Sequence, residues 1–210
     1  MVANHRSYFD TTAMALTVAP AGRPLRFLGK AEVFDAPIVG QLARAMGGIR
    51  VERGTGSDEP LEAAARALAA GELVAMMPQG TIPRGKAFFE PELQGRWGAA
   101  KLAAMSGAPV IPIGLWGTEQ VWPRSAKLPN VTNLTNPPVV RTRVGRPVDG
   151  LTGDDVDGDT KRIMAAIVEL LPEEARTRKV PTHDELAATY PSGKVPDDLD
   201  AELSRRPGTD

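Results

Sequence analysis

The chain has 210 residues, a formal net charge of -1 and no cysteine. This length fits one domain with a proper hydrophobic core plus an appendage. The near-neutral charge excludes a broadly basic nucleic-acid-binding surface, and the lack of cysteine excludes disulfides, thiolate nucleophiles and cysteine-ligated metals. No stretch approaches the ~20 apolar residues that cross a bilayer as a helix, so we predict no membrane-spanning segment. Because the chain has no cysteine and only two histidines, far apart in sequence, we also predict no metal or other cofactor.

The first polar cluster stands at the start of the chain, where His5 and Asp10 are five residues apart. The only other histidine, His183, lies in a polar, proline-punctuated region, so His5 is the default residue for proton transfer at neutral pH. On one continuous helix the two side chains would point about 140° apart. They meet if His5 lies in a loop after a strand and Asp10 lies in the first turn of the next helix. Asp10 then accepts from one imidazole nitrogen and leaves the other as a base; the alternative is a simple helix N-cap beside a solvated histidine.

Predicted strands and helices alternate along the rest of the chain. Strands separated by helices with short loops indicate parallel βαβ units. We therefore predict an α/β fold with a mixed, largely parallel sheet and helices on both faces. The predicted strands cover 2–3, 25–28, 49–53, 73–77, 108–115 and 139–145, and the predicted helices cover 11–18, 37–46, 59–70, 96–106 and 160–171.

Two basic residues follow predicted strands, where open α/β sheets bind ligands. Arg53 ends the apolar face of the strand 49–53, and its planar fork suits a phosphate. The alternative for Arg53 is a structural ion pair with Glu52 or Asp58. Lys30 follows a strand and a glycine, which makes it either an anion ligand or a solvated surface charge.

The loop after the buried strand 73–77 begins with Pro78-Gln79-Gly80-Thr81 and continues to Arg84 and Lys86. Backbone amides of such a turn can face a ligand, and the two cations lie within reach of a phosphate.

Two tryptophans, Trp116 and Trp122, follow the strand 108–115. They either cap the core or line an acyl-binding or membrane-facing groove.

The pattern Asn4-His5-x4-Asp10 resembles the signature of the glycerolipid acyltransferases, the family that includes lysophosphatidate acyltransferase. The segments Gly47 to Arg53, Met77 to Thr81 and Val110 to Ile113 resemble the family's later blocks, in the family's order. The chain departs from the family at Gln79, where glutamate is usual, and in the displacement of the next arginine to position 84. Glutamine keeps the length and an acceptor oxygen, so we predict that it orders its loop by hydrogen bonding.

The resemblance implies transfer of a fatty acyl group from acyl-CoA or acyl carrier protein, as co-substrate, to a hydroxyl of lysophosphatidate. His5 would be the base and Asp10 would orient it. Peripheral contact with the inner face of the cytoplasmic membrane is also implied. The alternatives are a catalytically weakened lipid-phosphate-binding module and a thioester hydrolase. The resemblance assigns loop ordering to Asn4 and Gln79, and substrate binding to Arg53, Gly80, Thr81, Arg84, Lys30 and Lys86.

We predict an acyltransferase domain over 1–171 and a polar, flexible tail over 172–210. Members of the resembled family carry a helical segment and most of a strand before the His-x4-Asp block, and here almost nothing precedes it. We therefore expect the chain to be a fragment, to have a misassigned start, or to be the second half of a longer polypeptide with an upstream domain.

Overall fold

The fold is taken from a computed structural model, which describes residues 1–35, 37, 39–45, 47–52, 58–130 and 132–197. The strands are β1 (Val2–Ala3), β2 (Leu25–Lys30), β3 (Ile49–Val51), β4 (Leu73–Ala75), β5 (Pro112–Trp116) and β6 (Arg141–Val144). Two three-stranded sheets, β3-β2-β4 and β1-β5-β6, join through a parallel bridge between Val2 and Met76. Among the described strands, β6 runs antiparallel at the edge and the other pairings are parallel. This confirms the predicted α/β architecture.

At least one helix separates each pair of consecutive strands in the described part of the chain, as the sequence predicts. No helix in the described part of the chain is both long enough and apolar enough to cross a membrane. The helices are α1 (Asp10–Val18), α2 (Ala31–Asp35), α3 (Val39–Ala45), α4 (Glu59–Ala69), α5 (Gly98–Ser106), α6 (Thr118–Val121), α7 (Val156–Glu169), α8 (Glu173–Arg176) and α9 (His183–Ala188), with 3-10 turns at Ala19–Ala21 and Gly85–Phe88.

The core lies on both faces of the sheet, and β1 shows how the two faces divide. Val2 packs with residues of α5 and α7, such as Ile163, whereas Ala3 packs with Met14 of α1. Successive residues of a strand point to opposite faces, so this alternation fixes the register of the strand. Burying a side chain the size of isoleucine or methionine contributes about 1.5–3 kcal/mol. The strand is therefore held firmly just before the polar cluster begins.

The structure describes part of the polar tail predicted over 172–210, namely 172–197, and the flexibility of the tail stays a prediction. Helices α8 and α9 form there, and α9 begins with a capping box between Thr182 and Glu185. Hydrogen bonds from Lys179 and from the Thr182 amide lower the pKa of the Glu185 carboxyl. Thr189 and Tyr190 are 3% and 4% exposed. The segment is too polar to build a core of its own, but it buries these two residues against the 3-10 turn Gly85–Phe88.

Candidate active site

The candidate site lies at the carboxyl edge of the parallel strands, where α/β sheets bind ligands. His5 follows β1, Gln79 follows β4 and Lys30 is the last residue of β2. The strands β4 and β1 are neighbours through the Val2–Met76 bridge. The sheet therefore brings the loops that carry His5 and Gln79 together.

Asp10 holds the polar cluster together through a single oxygen atom. Its Oδ2 pairs with His5 Nδ1 at 2.8 Å and accepts from the backbone amides of Arg6 at 2.6 Å and Ser7 at 2.8 Å. The side chain is fully buried. A carboxylate can only accept hydrogen bonds, so Nδ1 of His5 carries the proton in this pair and Nε2 is left as an acceptor.

Helix α1 explains why Asp10 is available for this role. Asp10 is the first residue of the helix and not its N-cap, which is Phe9 and makes no side-chain capping bond. The carboxylate accepts instead from residues before the helix, and the positive end of the helix dipole favours its negative charge. The structure therefore has the His5–Asp10 pairing and not the simple N-cap alternative. The other oxygen, Oδ1, is buried without a hydrogen-bond partner among the described residues.

Two side-chain amides fix the backbone on either side of this pair. Asn4 is 1% exposed and exchanges two hydrogen bonds with Leu115 of β5: its Nδ2 donates to the Leu115 carbonyl and its Oδ1 accepts from the Leu115 amide, both at 2.8 Å. Gln79 is 6% exposed, and its Oε1 accepts from the His5 amide at 2.7 Å. The contact is the kind of loop-ordering bond that the sequence predicts for Gln79.

Ser7 is fully buried and engaged in local structure. Its Oγ donates to the Trp122 carbonyl at 2.6 Å and accepts from the Phe9 amide at 2.9 Å. A hydroxyl whose proton is given to a backbone carbonyl is not positioned to give it to His5. Ser7 therefore ties the loop to the segment after α6.

Arg6 is a residue of this site that the sequence did not single out. Its guanidinium carbon lies 4.2 Å from the ring centroids of both Phe88 and Trp116, and its Nη2 donates to Glu119 at 3.0 Å. Stacking between two aromatic faces is a favoured environment for arginine. Trp116, the last residue of β5, is the sequence signal for such a partner.

A cavity of about 470 Å³ opens beside Arg6. This volume is within the range of small-molecule sites, roughly 300–1,000 Å³. Trp116 and Phe88 form part of its wall, together with residues of the segment 174–189. Trp122 packs instead edge-on against Tyr8, with ring centroids 5.7 Å apart. Of the two tryptophans, Trp116 thus lines a groove and Trp122 caps neighbouring structure.

The candidate substrate residues lie on and near the same edge. Gly80 has a left-handed φ of +73°, and a Cβ there would come within 2.9 Å of the Arg96 side chain. Thr81 and Arg84 are half-buried in the loop after β4, as is Lys30 at the end of β2, and Lys86 is exposed. Arg53 lies outside the described residues, so its alternatives of phosphate ligand and ion pair stay open.

Comparison with known proteins supports this assignment of the fold. The sequence profile of the family described as Acyltransferase matches residues 1–116. The structure is similar to the crystal structure of the 1-acyl-sn-glycerophosphate (LPA) acyltransferase PlsC from Thermotoga maritima, with a TM-score of 0.57 and 21% identity. The match covers 86% of this chain and 67% of that protein. At this identity the similarity shows a shared fold.

Relatives by sequence are longer proteins. The chain is 34% identical over 131 residues to an uncharacterized protein of Mycobacterium tuberculosis, a match that covers 59% of this chain and 34% of the relative. It is 27% identical over 176 residues to a chloroplastic 1-acyl-sn-glycerol-3-phosphate acyltransferase of Arabidopsis thaliana, covering 80% of this chain and 44% of the plant protein. The chain thus spans about a third of the length of the mycobacterial relative. Because the family profile matches more than half of its residues, the chain belongs to the Acyltransferase family.

Proposed function

We propose that the protein transfers a fatty acyl group from an acyl thioester to a hydroxyl of lysophosphatidate. The observation that carries the proposal is the His5–Asp10 pair, 2.8 Å apart between Nδ1 and Oδ2 at the carboxyl edge of the sheet. The pair leaves Nε2 of His5 as the candidate base. The names of the plant relatives and of the Thermotoga protein, all acyltransferases for 1-acyl-glycerol phosphates, support the choice of a lysophosphatidate-type acceptor.

The proposed reaction is a direct transfer. Nε2 of His5 takes the proton of the acceptor hydroxyl as the hydroxyl oxygen attacks the thioester carbonyl carbon. The carbon–sulfur bond then breaks, the imidazolium returns the proton to the leaving thiolate, and the ester is released. Asp10 orients the imidazole and stabilises its positive charge. General base catalysis of this kind contributes roughly 10²–10⁴-fold to the rate.

A direct attack agrees with the nucleophiles that the chain offers. The sequence has no cysteine, and the Ser7 hydroxyl donates to the Trp122 carbonyl. Backbone amides at the edge of the sheet would stabilise the oxyanion that forms during the attack.

The acceptor's phosphate would bind to cations on the loops at this edge. We assign that role to Arg53 and Arg84, with Lys30 and Lys86 as further contacts, while Gly80 and Thr81 shape the turn beside them. Arginine suits a phosphate because its planar fork donates two parallel hydrogen bonds. The acceptor is a membrane lipid, so we place the reaction at the cytoplasmic surface of the membrane, with acyl-CoA or acyl carrier protein delivering the acyl group.

Release of free thiol from an acyl thioester, with and without lysophosphatidate, tests the proposal. We expect release that depends on the acceptor and yields one ester per thiol, and we expect the folded His5→Ala variant to lose it. Release at the same rate without acceptor would identify a thioester hydrolase. Lysophosphatidate binding with no thiol release would identify a binding module. Either result would refute the transferase proposal, and acyl-CoA and acyl carrier protein are compared as donors in the same assay.

A further inference from the structure

The loop that carries Arg84 and Lys86 is held by the C-terminal segment of the chain. The Gly85 amide donates to Thr189 Oγ1 at 2.7 Å, and both groups are buried. The Thr189 hydroxyl in turn donates to the Leu186 carbonyl of α9 at 2.7 Å. Leaving a buried backbone amide without its acceptor lowers the stability of the fold. This bond therefore fixes the middle of the loop to the end of α9.

Tyr190 closes the same contact from the other side. Gly85 has a φ of +54°, and a Cβ at this position would lie 2.5 Å from the Tyr190 hydroxyl oxygen. Tyr190 is 4% exposed. The turn and the phenol therefore fit against each other without room for a side chain at position 85. We call Thr189 and Tyr190 the C-terminal latch.

The two ends of the loop that the latch holds both contact the candidate active site. At the first end, Gln79 accepts from the His5 amide. At the other end, the Phe88 ring stacks on the Arg6 guanidinium at 4.2 Å. Only residues 80–87 lie between these ends, so the length of the chain keeps them near His5. The cations at positions 84 and 86 flank Gly85, the residue that the latch fixes.

We propose that the C-terminal latch positions Arg84 and Lys86 for the anionic phosphate of the acceptor. This inference rests on the proposed function, in which these cations bind that phosphate. The latch lies beyond residues 1–116, the part that the family profile matches. The described side-chain hydrogen bonds of Thr189 run to Gly85 and Leu186, not to His5 or Asp10. Thr189 and Tyr190 therefore act on the acceptor through the loop, as positioning residues.

Binding of a short-chain lysophosphatidate, measured by calorimetry without thioester, tests the latch directly. Thr189→Val keeps the shape of the side chain but removes the acceptor for the Gly85 amide. We expect the Kd to rise about tenfold, or ~1.4 kcal/mol, while the KM for the thioester stays unchanged. Thr189→Ser restores the hydroxyl and should return the Kd to within about threefold of the wild-type value, ~0.65 kcal/mol. The matched control is Thr160→Val, which removes a buried hydroxyl that donates to the Val156 carbonyl within α7, and it should leave the Kd unchanged.

Two further variants keep the test decisive if Thr189→Val folds poorly. Gly85→Ala should weaken lysophosphatidate binding, and adding Tyr190→Phe to it should recover part of the loss by removing the oxygen that the new methyl group meets. Trypsin cleavage after Arg84 and Lys86 should also be faster in Thr189→Val than in Thr160→Val, because the loop opens more often.

The outcomes separate the latch from the transferase proposal. An unchanged Kd in folded Thr189→Val, an equal loss in Thr160→Val, or no lysophosphatidate binding by the wild-type protein would overturn the latch. Weakened binding in Thr189→Val with rescue by serine, in a protein that shows no acceptor-dependent thiol release, would support the latch and refute the transferase.

Discussion

The stretch 4–10 and the loop 79–88 meet at the same edge of the sheet but are built differently. In the first, Asn4, Ser7 and Asp10 are at most 1% exposed, and side-chain hydrogen bonds hold the backbone on both sides of His5. In the second, Arg84 is half-buried and Lys86 exposed. Proton transfer requires fixed distances, because a misplacement of about 1 Å can cost 10²-fold in rate. Long cationic side chains can reach an anion from less fixed positions.

Asp10→Asn tests the stretch 4–10, where side-chain hydrogen bonds hold the backbone. The amide oxygen of asparagine can still accept from the backbone amides of Arg6 and Ser7, so the substitution removes the negative charge that stabilises the imidazolium. We expect kcat to fall by about 10³–10⁴-fold with little change in either KM. Steady-state kinetics on folded protein checks the result. A fall of less than about tenfold would show that Asp10 only supports the loop.

Asn4→Ala should lower the free energy of unfolding by about 2–4 kcal/mol, because it leaves the buried amide and carbonyl of Leu115 without their partners. Urea unfolding measures the loss. Asn133→Ala is the control, since Asn133 is exposed and accepts from the Asn136 amide at 3.1 Å in a surface turn. That change should cost less than about 0.5 kcal/mol. Equal losses in the two variants would show that the hydrogen bonds between Asn4 and Leu115 do not stabilise the fold.

Arg53→Ala tests the proposed binding of the acceptor's phosphate. We expect the KM for lysophosphatidate to rise about tenfold, or ~1.4 kcal/mol, with the KM for the thioester unchanged, since a phosphate ligand contacts one substrate only. Arg53→Lys should restore part of the affinity.

The neighbouring Arg50→Ala variant is the matched control for Arg53. Arg50 donates to Asp35 at 2.6 Å and to Glu52 at 2.7 Å on the surface, and these hydrogen bonds raise its pKa. Surface pairs of this kind contribute about 0–1 kcal/mol to stability, so the Arg50→Ala variant should stay folded. Because the Arg50 guanidinium is engaged with these two carboxylates, the KM for the acceptor should not change. Equal effects of Arg53→Ala on both substrates would mark Arg53 as structural.

The smallest effect is expected for Gln79→Glu, which keeps an acceptor oxygen for the His5 amide. Its kcat/KM should stay within about tenfold of the wild-type value, or ~1.4 kcal/mol of barrier. Gln79→Leu leaves that amide unpaired and should cost roughly 1–3 kcal/mol of stability. Kinetics and thermal melting of both variants decide between a hydrogen bond and a missing charge. A large gain in kcat/KM for Gln79→Glu, with no change in the melting temperature of Gln79→Leu, would show instead that the site lacks a negative charge.

The parts of the site that could be predicted from the sequence are those fixed by local chain geometry. The pairing of His5 with Asp10 follows from a strand, a short loop and a helix start, all within ten residues. The parallel sheet follows from the alternation of apolar strands and helices. A hydrogen-bonding role for Gln79 follows from its place after a buried strand.

The missed features depend on partners far away in the chain. Arg6 finds its aromatic partners Phe88 and Trp116 only after the sheet has formed. By composition the segment 172–197 is too polar to form a core of its own. Tyr190 in this segment is nevertheless buried, because it packs against a turn that lies about a hundred residues earlier in the chain. Composition reports what a segment can bury by itself and not what it can bury against a distant turn.

In the proposed mechanism, Asp10 fixes the neutral His5 imidazole with its proton on Nδ1, so that Nε2 is the base. Nitrogen-15 NMR of the two histidines tests it most directly, at a pH where both rings are neutral, with His183→Gln used to assign the signals. We predict that, in the wild-type protein, Nε2 of His5 gives the signal of an unprotonated nitrogen and Nδ1 the signal of a protonated one. A wild-type His5 with its proton on Nε2 would contradict the account.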